Sequence, residues 1–291
     1  MSVDQAQTSP GRLGTWATKF GGNWMLGLGL AIGLLLSLGA LAALLMPLPE
    51  AFSGSLMTRF KAPLSPGYFL GSDQLGRSVL ARLAVGMPWS LGIALTASII
   101  AVGVGTAAGL TAAARPGLTR RVIQHFLDTV IAFPALIIAV TVIALVGRGF
   151  FPLAVTLGLA TWPISARVIY AEGLSVMRRE YVVAADLLGV GLARSVLVHV
   201  LPAVRPTLLV MFAFTFADML IAESALSFLG LGVPLTATSW GNMLSESRQY
   251  LIEAPWLMLA PAGMIVLAAV AFNLIGDGIA LRSRGRSRSA G

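Results

Sequence analysis

Six long apolar runs, set apart by short polar or basic segments, leave this chain little choice of fold. They cover residues 24–46, 89–114, 122–146, 150–170, 207–229 and 255–275. About 20 apolar residues in a helix cross the ~30 Å hydrocarbon core of a bilayer, so each run reads as a transmembrane helix. Only 11% of the 291 residues are charged, against about a quarter in a soluble domain. The chain is therefore expected to be an all-α integral membrane protein with six spans. The first run is too long for a signal-peptide core and no small-residue cleavage site follows it.

An even number of spans puts both termini on one side. Counted by loop, fourteen Lys and Arg fall on the side holding the termini, the Arg115–Arg121 turn and the polar stretch that begins at Arg167, and six fall on the other. The positive-inside rule makes the richer side cytoplasmic. The net charge of +8 thus reads as orientation, not as a nucleic-acid surface, since no basic patch is interleaved with aromatics. Residues 1–23, with Arg12 and Lys19, read as a cytoplasmic tail. Residues 24–279 form the six-span domain, and the basic run Arg282–Arg288 within residues 280–291 reads as a tail drawn to anionic inner-leaflet lipid. Gly29 with Gly33 and Gly105 with Gly109 are small-xxx-small pairs that mark packing faces. In the segment Phe69–Arg82, Ser72 or Asp73 is a plausible cap, and Leu75, Val79 and Leu83 share one helical stripe with Arg77 and Arg82 off it. It reads as an amphipathic interfacial helix ahead of the second span.

Within the loop 171–205 lies an island too polar to span yet helix-prone, Tyr181 to Gly189 running on to His199-Val-Leu-Pro202. Ala184, Ala185, Leu187 and Leu188 favour a helix, and Gly189 supplies a left-handed stop. A second short helix fits Leu192–Val200, with Pro202 barring continuation in that register. Two short helices at a glycine elbow make a firm cytoplasmic knob for a partner to grip.

Catalytic chemistry has little to stand on. With no cysteine, disulfides, thiolate catalysis and thiolate metal sites are excluded. The two histidines, His125 and His199, are not in metal-ligand spacing and read as interfacial helix residues, so no metal site and no catalytic residue is expected. No lysine precedes Ser or Thr, so there is no P-loop and the chain cannot itself be an ATPase. Three acids fall within apolar runs: Asp128, Asp218 and Glu223. A charge in the bilayer is costly, so each must face a bundle interior, a cavity or a partner. Asp218 and Glu223, five residues and about 140° apart on one helix, either line a polar pathway or accept hydrogen bonds from Ser, Thr, Asn or a helix N-terminus; Asp128 can snorkel. No basic partner is expected to be buried in the spans to neutralise them.

Ala184-Ala185-x-x-x-Gly189, followed thirteen residues later by Pro202, resembles the coupling loop of ABC-importer permeases, with Val183 where that family usually has Glu. Gly71-Ser-Asp73-Gln-Leu-Gly76-Arg77-Ser78 resembles the Gly-Thr-Asp-x-x-Gly-Arg-Asp signature of the C-type permeases of dipeptide, oligopeptide and nickel importers. Ala222–Gly232, Ser239–Met243 and Ala271–Asp277 are similar to further stretches of that family. The resemblance covers residues 69–279; beyond Ile279 the chain departs from it. It implies a type I bundle of six helices in a bacterial or archaeal cytoplasmic membrane. Ala184, Ala185, Asp186, Leu187, Leu188, Gly189, Val190, Gly191 and Leu192 would form the surface that couples to an ATPase. The implied partners are a second homologous permease, two ATPase subunits carrying ATP and Mg, and an extracytoplasmic substrate-binding protein; the chain itself would bind no cofactor. Peptides, nickel chelates, opines and glutathione-like molecules all suit such a permease. Two other classes stay open on residues alone: an ion-driven transporter or channel using Asp218 and Glu223, and a membrane-embedded hydrolase.

Overall fold

The computed structural model describes residues 12–45, 48–234 and 236–289, and among these there is helix but no strand beyond two isolated bridges. Residues 1–11 of the expected N-terminal tail and residues 290 and 291 lie outside the described residues. Ten α-helices follow in order: α1 (Arg12–Leu45), α2 (Val79–Ala114), α3 (Leu118–Ile131), α4 (Ala135–Val146), α5 (Phe150–Met177), α6 (Glu180–Leu187), α7 (Leu192–Ser195), α8 (Leu201–Phe228), α9 (Trp240–Ser247) and α10 (Trp256–Ser289). Helix thus crosses both expected tail boundaries, at 23/24 and at 279/280.

Among the described residues five helices are long and apolar enough to span a membrane, six if the bent pair α3–α4 counts as one span. That pair corrects the third expected span. Pro134 splits it into α3 and α4, which meet at 82°, because proline lacks the N–H that would continue the ladder and pushes the residue before it out of the α region.

Glycines set where the spans touch. A Cβ on Gly105 would lie 2.5 Å from Ser165 Cβ and 2.8 Å from the Trp162 carbonyl, and one on Gly109 would lie 2.6 Å from the Ala166 carbonyl. The second glycine pair is therefore the seam between α2 and α5. Gly29 does the same for α1 against α10, with a Cβ meeting the Ala271 carbonyl at 2.6 Å. One buried cluster, including Ile93, Leu153, Leu157, Leu220 and Trp240, fills the bundle. A smaller one, Leu110, Ile169, Val176, Val182, Val200 and Val204, sits at the end carrying α6 and α7.

Two further expectations are overturned. No interfacial helix precedes the second span: α2 begins at Val79 behind Ser78, whose hydroxyl accepts from Ala81 N, and residues 69–78 form a turn-rich web instead. Nor does the helix end at Pro202. A π-helical turn over Val196–Val200, in which Leu201 N–H bonds the Val196 carbonyl, widens the coil where the proline ring would otherwise meet the carbonyl four residues back. The chain then runs helical from Leu192 to Phe228, 37 residues.

Candidate functional site: the helical knob and the polar face of the spans

The island folds as a knob at the Ala114 end of α2. Glu180 in the first turn of α6 suits the helix dipole. The far end closes by two bonds, Gly189 N to Asp186 O at 2.9 Å and Val190 N to Ala185 O at 3.1 Å, the paired pattern of a Schellman stop. It requires a left-handed residue, and Gly189 sits at φ +79°. Gly191 then leads into α7 in extended conformation.

One side chain pins the knob and two are left out. Val182, 2% exposed, packs in the cluster with Ile169 and Val176 of α5 and Val200 and Val204 beside α8. The Tyr181 and His199 rings meet edge-on at 6.3 Å, which gives that histidine a packing role. At the tip Leu187 and Leu188 are 84% and 85% exposed. Ala184, Asp186, Gly189 and Gly191 are exposed beside them, Leu192 just so, and Ala185 and Val190 half-buried. The nine expected coupling residues thus form one continuous outer surface, apolar at its apex. Val183 is exposed, on the same outer side of α6.

The acids separate. Glu223 is fully buried, with Ser227 Oγ donating at 2.7 Å and Ser224 Oγ at 3.3 Å and the hydroxyls of Ser239 and Ser90 also bonded to it. Ser90 in turn accepts from Trp240 N at 3.1 Å. Glu223 therefore ties α8 to α2 and to the start of α9. Asp218 is exposed on α8 and makes no hydrogen bond or ion pair among the described residues. Asp128 has a basic partner that the sequence did not reveal, the exposed Arg167 of α5. The pair borders a hollow of about 440 Å³ with Gln124 and Tyr170. Glu172 was missed as well: Thr207 Oγ1 donates to it at 2.5 Å, and Thr207 lies within about 20° of Asp218 on α8. Glu172 was missed because the fourth span was expected to end near Tyr170, whereas α5 runs to Met177.

At the other end of α2 the Gly71–Ser78 signature is a clasp. Asp73 Oδ1 accepts from Leu75 N and Arg77 N, both at 2.9 Å, and Oδ2 from Arg77 Nε at 2.6 Å and Arg82 Nη1 at 2.9 Å. Arg82, expected to point away from the bundle, is instead buried and reaches across to Glu246 of α9 at 2.8 and 3.1 Å. Ser72 Oγ donates to the Thr58 carbonyl and accepts from Lys61 N. The glycines take φ +81° and +75°. The signature thus locks the 48–78 loop onto α9.

Among the described residues no group of His, Asp and Glu could hold a metal. Comparison with known proteins places this architecture. A family described as "Binding-protein-dependent transport system inner membrane component" matches residues 101–286. The chain is similar to the di/tripeptide transport system permease protein DppC of Pseudomonas aeruginosa, at 34% identity over 212 residues, 73% of this chain and 70% of that protein. It is similar to the oligopeptide transport system permease protein OppC of Bacillus subtilis, at 30% over 261 residues, 90% of this chain and 85% of that one. The OppC of Haemophilus influenzae is 33% identical over 219 residues, 75% and 70% of the two chains.

Proposed function

The chain belongs to the binding-protein-dependent transport system inner membrane component family, as the permease of an ABC importer, and from that premise we propose that it builds half of a peptide pathway and takes its power through the knob at Gly189. A second homologous permease completes the pathway, and two ATPase subunits bind the ATP and Mg. A substrate-binding protein delivers cargo at the clasp end, and both termini and the knob face the cytoplasm, an orientation that the distribution of Arg and Lys supports. Peptides or related small solutes are the cargo class, on the strength of what the relatives are named for.

The observation that carries this reading is the apex itself: two adjacent leucines about 85% exposed on a short helix whose base is locked into the bundle. Contiguous exposed apolar surface on a rigid support suits a docking surface. Closure of the ATPase pair on ATP would move the knob as a body, and with it α5 and α8, so that the polar face with Arg167, Glu172 and Asp218 opens alternately to the two sides. ATP can drive this only through its different affinity for the open and closed ATPase pair, and the knob's packing carries that difference.

Co-purification tests it. Gly189→Pro removes the N–H that bonds Asp186 O and forbids φ +79°, while the spans contain nothing that depends on it. The variant is expected to retain the second permease and lose the ATPase. A wild-type chain that brings down no ATPase, or a variant that still couples hydrolysis to transport, overturns the proposal.

A further inference from the structure

Beside the knob runs a groove of about 680 Å³ between α2 and the joint of α7 with α8. Its floor is Gly103, Ala107 and Leu110 of α2, and its opposite wall is Val196, Leu197 and Leu201. Gly103 has nothing within 4 Å of where a Cβ would stand, so the trough is open and not merely loosely packed. At its end lies Arg115. That guanidinium is exposed and makes no hydrogen bond or ion pair among the described residues. Its neighbour differs: Arg120 is committed to the Ala112 and Ala113 carbonyls at 2.9 and 3.1 Å and lies over the Tyr170 ring.

We infer that this groove seats one anionic phospholipid, its acyl chain along α2 and its phosphate on Arg115. The dimensions agree. From Arg115 to Val102 the groove follows α2 for thirteen residues, about 20 Å at 1.5 Å per residue, against roughly 15 Å for one leaflet of a ~30 Å hydrocarbon core. The charge agrees as well: an apolar trough capped by one unpaired arginine, at the end of a span, matches an amphiphile with a negative head. A neutral apolar helix would fill the trough and leave Arg115 without a counter-charge. The occupant touches the π turn that joins the knob to α8, so it sits at the joint of the proposed lever.

The absence of cysteine allows a single label. Ala107→Cys is conjugated to bimane in the complex purified through this chain, whatever partners accompany it, with the cysteine-free parent as background. Nanodiscs of phosphatidylcholine then receive nitroxide-labelled phosphatidylglycerol or nitroxide-labelled phosphatidylcholine. The anionic probe is expected to reach half-quenching at roughly fivefold lower mole fraction, the preference that one arginine near a charged surface confers. Arg115→Gln is expected to abolish that preference while both probes still quench, and Gly103→Leu, which fills the open floor, to reduce quenching by both. Equal half-quenching by the two probes overturns the inference. So does no quenching by either, the result if a helix of the second permease occupies the groove. Neither readout depends on the ATPase, so failure here is distinct from failure of the coupling proposal.

Discussion

Replacing Leu187 and Leu188 together by glutamine separates docking from folding. Glutamine has nearly the helix propensity of leucine and adds no charge against the C-terminal dipole of α6, so the helix and its Schellman stop survive. Because the two side chains are 84% and 85% exposed, the isolated permease should change by no more than about 0.5 kcal/mol. Their burial in an ATPase groove is worth about 1.5–3 kcal/mol each. Losing both costs about 3–6 kcal/mol, which at 1.4 kcal/mol per decade is a loss of roughly 10²–10⁴ in ATPase affinity. The assay is a titration of purified ATPase onto nanodisc-embedded permease, with the melting temperature of the permease measured in parallel. A loss below tenfold refutes the docking argument, and so does a fall in melting temperature large enough to account for the lost affinity.

The remaining predictions concern what holds the spans. Gly105→Ala pushes a methyl to 2.5 Å from Ser165 and 2.8 Å from a backbone carbonyl, so it should lower the melting temperature in detergent, whereas Gly103→Ala, with open space around it, should not. Arg82→Ala breaks a buried ion pair whose loss typically costs about 3–5 kcal/mol, and limited proteolysis should then cut the 48–78 loop that the wild type protects. Asp218→Asn should slow transport in proteoliposomes at unchanged melting temperature, because that carboxylate is exposed and without a partner. Glu223→Ala should do the reverse, lowering the melting temperature by leaving the buried Ser227 hydroxyl without its acceptor while leaving cargo preference unchanged.

What could be read beforehand was what hydropathy and spacing encode locally. Runs of apolar residues locate the spans because burial in lipid demands continuity. Small-xxx-small glycines mark the α2–α5 and α1–α10 seams because only a missing Cβ permits such approach, and Gly189 at the end of an alanine–leucine run announces its own left-handed turn. The misses share another cause. Pro134 and Pro202 carry the same local prohibition, yet one yields an 82° elbow and the other a π turn inside a continuous helix. The difference lies in packing around them: Val200 and Val204 on either side of Pro202 are buried in a cluster that holds the coil together, while the residues around Pro134 are largely exposed. Arg82 was misplaced and the pairing of Arg167 missed because their partners, Glu246 and Asp128, are 164 and 39 positions away, a distance no helical period spans.

The continuity through Pro202 decides how a push on the knob travels. Had the helix ended there, the knob would hang from α8 by a loop, and displacement at Leu188 would dissipate in it. Instead 37 helical residues from Leu192 to Phe228, about 55 Å at 1.5 Å each, join the knob to the far side of the bundle. On the other flank only Arg178 and Arg179 separate α5 from α6. Val182 fixes α6 to both, through Val176 on one side and Val200 on the other. The knob and the near ends of α5 and α8 therefore form one packed body, and α5 and α8 are the elements that carry Arg167, Glu172 and Asp218. The π turn is an irregular link in that body, and a change there would alter the register between knob and α8 without touching Leu187 or Leu188. Val182→Ala supplies the test of rigidity: it hollows the cluster at its centre while leaving Leu187 and Leu188 in place. ATPase binding should then persist while transport per ATP hydrolysed falls, and unchanged coupling in that variant would mean that the force passes elsewhere.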